Sequence, residues 1–290
     1  FERDLKRTFT ETPQTVDDKI PDDNFVMPNR DSISLKKRKT EKDKRHTKKV
    51  DQALRDNLPD IDIIDLLIET IDWTEIEKLF GPLSGHQRKV KDYKKRLVAS
   101  LLCFGCNVGP SQTARSIKSL TRKQIAYLIL SHVRDQDLIN ATEKIINAYN
   151  EYDLPKYWAT GENSSVDGTR LDMYEQNLLS EYHLRYASYG GIGYYLVSDK
   201  YIALFSRFIP CGVREAMHLI DAIIENESDI QPDKVQGDTH AQSTIVFGLA
   251  HLLGIKLMPR ISNINSLLFF KPDRRIRYEH IDELFSEGVN

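Results

Sequence analysis

Two aspartates carry the residue pattern most suggestive of chemistry. Asp167 lies in Ser164-Ser-Val-Asp-Gly-Thr-Arg170 and Asp238 in Lys234-Val-Gln-Gly-Asp-Thr-His240. Each closes a short β-compatible run and is followed by threonine and a basic or ionisable side chain. They stand 71 residues apart, too far for a local motif and about right for two strands of one sheet separated by a hairpin and a helix. Two carboxylates brought within a few ångströms repel unless a cation sits between them. Mg²⁺, with Mn²⁺ as a substitute, suits such a pair, because it takes oxygen ligands, keeps several waters and completes its shell with phosphate oxygens. Two such ions held by three acids can activate a water or a 3′-hydroxyl and stabilise the leaving oxygen in an in-line displacement at phosphorus. Taken singly, either aspartate also reads as a turn residue ending a strand; the matched pair weighs against that.

Other residues fit a polyanionic substrate. Thr169, Arg170, Thr239 and His240 follow the aspartates and can orient ligands or meet a phosphate, although His240 equally reads as an ordinary hydrogen-bonded histidine. Residues 171–191 hold Tyr174, His183, Arg185, Tyr186 and Tyr189, a mix that suits stacking on unpaired DNA and suits ordinary packing as well. Arg207, Lys256 and Arg260 are candidate phosphate contacts. Residues 36–49, beginning with Lys36, Lys37 and Arg38, carry nine Lys or Arg against Glu41 and Asp43. Such a run either tracks phosphates or forms a solvated helix or linker. Cys103 and Cys106 have metal-site spacing, but no second such pair exists and their surroundings are those of a buried helix.

The elements that must position these groups follow from periodicity. Residues 1–34, with three prolines and no sustained period, read as an extended arm. Helical patterning runs from about 54 to 152. Asp60 opens a helix with Ile61, Ile64, Leu67 and Ile68 on one face, and Asp72 caps a further turn. Helices follow over 93–106, from Pro110, from the N-cap Thr121, and over 136–150; the pair starting at Pro110 and Thr121 reads as packing scaffold or as a DNA-reading helix-turn-helix. Pro155 and Gly161 mark a boundary. Strands are then expected at 165–167, 192–198 and 203–209, a helix at 214–227 with Ala216, Leu219, Ile220 and Ile223 inward, a strand at 235–238, a helix at 242–253 and a strand at 255–259. That order, β-β-β-α-β-α-β, describes a ribonuclease H-like α/β core, with the first and fourth strands adjacent at its centre. The expected divisions are an arm and basic linker (1–53), a helical domain (54–160), the ribonuclease H-like core (161–270) and the start of a further helical insertion (271–290).

The 290 residues are 40% hydrophobic with a net charge of −2, enough to bury a core and uninformative about partners except locally. No apolar run approaches the roughly 20 residues that cross a bilayer. Three cysteines fit a reducing cytosol better than a disulfide framework. The start at Phe1 suggests a piece of a longer chain.

Several stretches together resemble one family. These are Ser165-Val-Asp-Gly-Thr-Arg170, Tyr174-Glu-Gln-Asn-Leu-Leu179, Glu181-Tyr-His-Leu-Arg-Tyr186, Tyr189-Gly-Gly-Ile-Gly-Tyr-Tyr195, Tyr201-Ile-Ala-Leu-Phe-Ser-Arg-Phe-Ile-Pro210, Gly237-Asp-Thr-His240 and Phe247-Gly-Leu-Ala250. They resemble the catalytic region of the Tn3 family of replicative transposases. The resemblance implies a Mg²⁺-dependent DDE transposase that nicks transposon 3′ ends and joins them to target DNA, with Asp167 and Asp238 as its first two acids. It further implies terminal inverted repeats and target DNA as partners, a homodimer, and a place in the bacterial cytoplasm at the nucleoid. Glu279, Glu283 and Glu287 lie on the expected terminal helix, but the resemblance places the third acid beyond residue 290, so the chain alone is expected to bind metal weakly and not to cleave DNA efficiently. The alternatives are a non-catalytic DNA-binding or assembly module and a nuclease of the same fold.

Overall fold

The alternating segments between residues 163 and 259 assemble into one six-stranded sheet. The computed structural model describes residues 2–22, 26–29, 32–35, 44–86, 90–117, 119–173, 175, 177–184, 187–213, 215–262, 267 and 269–286. These form two compact units, 59–260 and 1–58 with 261–290.

In chain order the elements are α1 (Glu2–Lys19), β1 (Val26–Asn29), β2 (Ser32–Leu35), α2 (Lys44–Asn57), α3 (Ile63–Thr74), α4 (Tyr93–Gly105), α5 (Pro110–Ser116), α6 (Arg122–His132), α7 (Asp135–Glu151) and α8 (Asp153–Trp158). There follow β3 (Asn163–Asp172), β4 (Glu181–His183), β5 (Ser188–Ser198), β6 (Ala203–Pro210), α9 (Glu215–Ile224), β7 (Lys234–Gly237), α10 (Thr244–Leu252), β8 (Lys256–Pro259), β9 (Phe269–Phe270) and β10 (Phe285–Ser286).

In the larger unit, β3 is central. It runs antiparallel to β5 and parallel to β7, which runs parallel to β8. The far edge of β5 carries β6 along most of its length and β4 at its start. Period-2 alternation sends Val166, Ile192, Tyr194, Leu196 and Val235 into a core with Ala216, Leu219 and Ile220 of α9, whose spacing is that of one helical face. Fully burying a side chain such as Leu196 or Leu219 stabilises the fold by about 1.5–3 kcal/mol.

The helices before the sheet have cores of their own. Ile71, Leu97 and Leu128 centre one, and Ala99, Cys103, Leu120 and Ile125 another. Cys103 is buried there and Cys106 is exposed. Thr121 makes the expected N-cap, with Gln124 completing a reciprocal capping box. Helix α7 joins this layer to the sheet: Ile146 enters the sheet core, the Tyr149 hydroxyl donates to the Lys200 carbonyl at 2.8 Å, and Lys200 Nζ donates to Asn150 Oδ1 at 2.6 Å.

Several expectations need correcting. The helix expected from Asp60 starts after Asp62, whose side chain accepts from the Ile64 amide, and continues through Asp72 to a left-handed Glu75. Its inward face is therefore Ile64, Leu67 and Ile71, with Ile61 exposed. Pro155 sits inside the short α8 rather than in a linker, where a first-turn proline lacks only an amide that would go unpaired anyway. Strand β3 does not stop at Asp167 but pairs with β5 as far as Asp172.

The smaller unit overturns two more. Residues 2–19, expected as part of an extended arm, form α1, and the chain end expected as a helix forms a 3₁₀ turn at Asp282–Leu284 and the strand pair β9–β10. The cause is tertiary. Asp17 is buried and accepts hydrogen bonds from the amides of Glu279, His280 and Ile281, while Ile20 packs with Tyr278 and Ile281.

Candidate acid pair at the sheet

The parallel ladder between β3 and β7 pairs Asn163 with Lys234, Ser164 with Val235 and Ser165 with Gln236. Every pair is offset by 71 residues, the same interval that separates Asp167 from Asp238. The contact persists one step past the ladder, because a Cβ built on Gly237 would lie 3.3 Å from Val166 Cγ2. The next step is the two aspartates. Parallel strands lie about 4.8 Å apart, so the register, carried two steps past the ladder, brings the two aspartates level with each other at one end of the sheet.

Local structure fixes each acid. Asp167 is exposed, pairs across the sheet with Tyr195 and accepts a hydrogen bond at 2.8 Å from the Gly168 amide. Asp238, also exposed, follows the last residue of β7, and its carbonyl accepts from the Ala241 amide at 3.2 Å to close a tight turn. Gly237 is required for that turn, since its Cβ would lie 2.6 Å from the Ala241 Cβ. Neither methyl could rotate away. Gly237→Ala is expected to cost about 1–3 kcal/mol of stability in thermal or chemical unfolding, because the turn carrying Asp238 must shift. An unchanged melting temperature would show that the turn has slack.

Two residues that periodicity did not single out lie against Gly168, the residue after Asp167. Glu215 opens α9, and a Cβ on Gly168 would lie 2.7 Å from its Oε2. Tyr194 pairs with Gly168 across the sheet and is 2% exposed. Burial first, and then the carboxylates of Glu215, Asp238 and Asp167, hold its phenol well above the ordinary tyrosine range. All three acids therefore act on one buried tyrosine. The sequence signal that could have flagged Glu215 is an acidic residue in the first turn of the helix that follows the hairpin.

The remaining candidates are spread over the unit. Arg260 follows β8 at the level of the acids, and its amide donates to the Gly237 carbonyl at 2.8 Å. Lys256 pairs with Lys234 at the opposite end of the ladder and its Nζ lies 3.3 Å from Asp233 Oδ2. Arg170 is three residues beyond Asp167 and bonds Asp172 and Ser188. Arg207 is held by Asp221 at 3.3 Å and by Glu225. His183 and Glu215 both line a cavity of about 560 Å³ whose walls include Ile192, Met217 and Leu249. Tyr182 and Tyr189 meet edge to face at 5.2 Å between ring centroids. Lys36, Lys37, Arg38, Tyr174, Arg185, Tyr186 and Glu287 lie outside the described residues, as does the side chain of His240. Glu279 and Glu283 belong to the smaller unit.

The donor set fits a hard divalent cation. Asp167 and Asp238 are oxygen donors at adjacent register positions, suited to an ion that keeps most of its waters. Among the described residues no three His, Cys, Asp or Glu side chains lie close enough to hold an ion by direct contact. Nor is any described helix long and apolar enough to cross a membrane.

Residues 65–290 match the model of the Tn3 transposase DDE domain. The chain is 28% identical over 267 residues to the transposase for transposon Tn1546 of Enterococcus faecium, covering 90% of this chain and 27% of that protein. It is 26% identical over 239 residues to the transposase for transposon gamma-delta of Escherichia coli (strain K12), covering 81% and 24%. The chain thus spans about a quarter of the length of the curated relatives it matches. A solved piggyBac transposase synaptic complex with hairpin DNA aligns with 13% identity and a TM-score of 0.34, over 69% of this chain and 49% of that one, a score from which no shared fold follows.

Proposed function

Because the chain belongs to the Tn3 transposase DDE domain family, we propose that it is the catalytic region of a DNA transposase that cuts transposon 3′ ends and joins them to target DNA in replicative transposition. What supports this reading is the β3–β7 ladder, which pairs residues 71 apart from Asn163 with Lys234 to Ser165 with Gln236 and, carried two steps further, brings Asp167 level with Asp238. The strand order β6-β5-β3-β7-β8, with its antiparallel and parallel halves, supports a ribonuclease H-like core.

On this reading Asp167 and Asp238 hold Mg²⁺ or Mn²⁺. The cation, when bound, activates the attacking oxygen and stabilises the leaving one at phosphorus. The chain's own residues place the DNA. Arg260, level with the acids, and Arg170, beyond Asp167 on β3, are assigned to backbone phosphates. Tyr182 and Tyr189 offer aromatic surface to unpaired bases. The partners are transposon ends, target DNA and a second copy of the protein, in the bacterial cytoplasm.

The test uses the full-length protein that contains this chain, labelled transposon-end DNA and a target plasmid. Joined strands with Mg²⁺ or Mn²⁺, and none with EDTA, are expected. Nicked ends that never join would indicate a nuclease of the same fold, and end binding without either product a DNA-binding module.

A further inference from the structure

Helices α4, α5 and α6 carry a charge imbalance that the net charge of −2 conceals. Residues 93–132 contain seven Lys or Arg and no Asp or Glu. Among the described residues the layer they form makes one ion pair, between Lys94 and Asp72. Lys95, Arg115, Arg122 and Lys123 are all exposed, and Lys118 lies outside the described residues.

The fold gains little from these charges. The positive end of a helix dipole disfavours cations in the first turn. Helix α4 nevertheless begins Tyr93-Lys-Lys-Arg96 and α6 begins with Arg122 and Lys123, and neither first turn holds an acid. Thr121 and Gln124 cap α6 without help from either cation. The apolar contacts come from other residues, Ala99, Cys103, Leu120 and Ile125. The bases therefore build a positive potential that the layer itself leaves unanswered, and a polyanion answers it.

Their placement favours duplex DNA. A turn closed by the Leu120 amide on the Ile117 carbonyl at 3.0 Å joins α5 to α6. Arg115 precedes that turn and Arg122 and Lys123 follow it, with the exposed hydroxyl residues Ser116 and Ser119 between them. Cations and short hydroxyl side chains on two helices joined by a turn are the groups that meet a duplex backbone. Unpaired strands are held instead on aromatic platforms, and no aromatic residue stands between Phe104 and Tyr127.

We propose that the α5–α6 turn is a contact surface for duplex DNA, with Arg115, Arg122 and Lys123 on backbone phosphates. The choice of DNA as occupant rests on the transposase reading. The surface itself lies in a layer separate from the strands that carry the acids, and it binds without regard to base sequence.

The test is binding of a labelled duplex of arbitrary sequence to the 290-residue chain, followed by fluorescence anisotropy over a range of KCl, with the melting temperature as the check on folding. Arg115→Gln, Arg122→Gln and Lys123→Gln combined are expected to weaken binding about 10-fold or more at about 0.1 M salt, and to lower the salt slope of log affinity by about 2–3, since each phosphate contact contributes about 0.9. That variant should melt no lower than wild type, because two of the lost cations oppose the α6 dipole. Arg115→Lys, Arg122→Lys and Lys123→Arg combined keep the charges and are expected to bind like wild type. Should the neutral variant fail to fold, Arg115→Gln alone, outside the α6 cap, is expected to lower the slope by about 1. Wild-type affinity and slope in the neutral variants would put the duplex on other basic segments, such as residues 36–49, and overturn the proposal. Equally tight binding of polyglutamate would overturn it in favour of an acidic protein partner, and so would failure of the wild-type chain to bind duplex at all. The transposase reading is decided separately, by strand transfer in the full-length protein.

Discussion

Asp167→Asn or Asp238→Asn in the full-length protein is expected to lower strand transfer about 10³-fold or more, while binding of transposon ends changes by no more than about twofold. A 10³-fold loss corresponds to about 4 kcal/mol of transition-state stabilisation, a reasonable cost for removing one anionic oxygen ligand from a metal-dependent displacement at phosphorus. Asparagine keeps the shape and loses the charge. Both aspartates are exposed, and the Asp167 carboxylate accepts from its neighbour's amide; the melting temperatures of the two variants report whether the sheet is kept. The double variant is expected to be no worse than the poorer single one, because groups that act as a unit are not additive. Gel assays of joined product, paired with melting temperatures, check this; normal strand transfer in both single variants would end the enzymatic reading.

Asp17→Ala is expected to cost the smaller unit about 3 kcal/mol and to expose the amides of Glu279, His280 and Ile281 to rapid hydrogen exchange. One carboxylate accepts from all three, at 2.7, 2.7 and 3.0 Å, and hydrogen bonds to a charged acceptor contribute more than neutral ones. Burial alone would raise the Asp17 pKa, but the three amides outweigh it and hold the group below the ordinary carboxylate value. The sign follows. The folded form takes up its proton at lower pH than the unfolded form, so the stabilisation is complete above the unfolded value and is lost as pH falls through the folded one. Asp282 shifts in the same direction: burial opposes the shift, while hydrogen bonds from Lys271 and the Tyr278 amide drive it. The unit should therefore hold at neutral pH and loosen in acid, and Asp17→Asn should remove most of the Asp17 share of that dependence. Protection of those three amides that stays flat from neutrality into acid would contradict it.

How much of this was legible in the sequence depended on how local the cause was. Helices α4, α6, α7 and α9 announced themselves through apolar periodicity and a cap such as Thr121, whose partner Gln124 is three residues away. Helix α1 gave no such signal, because Pro13 lies inside it and its docking depends on contacts with residues more than 250 positions later. The end of β3 was misjudged for a related reason. Asp-Gly-Thr carries turn chemistry, yet Gly168 and Thr169 are held extended by pairing with Tyr194 and Gly193, and ladder bonds override local preference. The matched placement of Asp167 and Asp238 on neighbouring strands was readable because each stands within or just after a β-forming run. Glu215 and Tyr194 were not, since their relation to Asp167 exists only once α9 lies across the sheet and a glycine leaves room.

The ladder between β3 and β7 also determines what length variation the protein can absorb. Asp167 and Asp238 each stand four residues beyond the first pair, Asn163 with Lys234, so alignment is counted from the strand starts and is indifferent to the amount of chain in between. Insertions or deletions in the stretch around β4 would leave the acids matched. Adding a single residue between Ser165 and Asp167 would turn that aspartate to the opposite face of the sheet. The 71-residue interval is thus an incidental total, and what a related chain must preserve is two equal short counts.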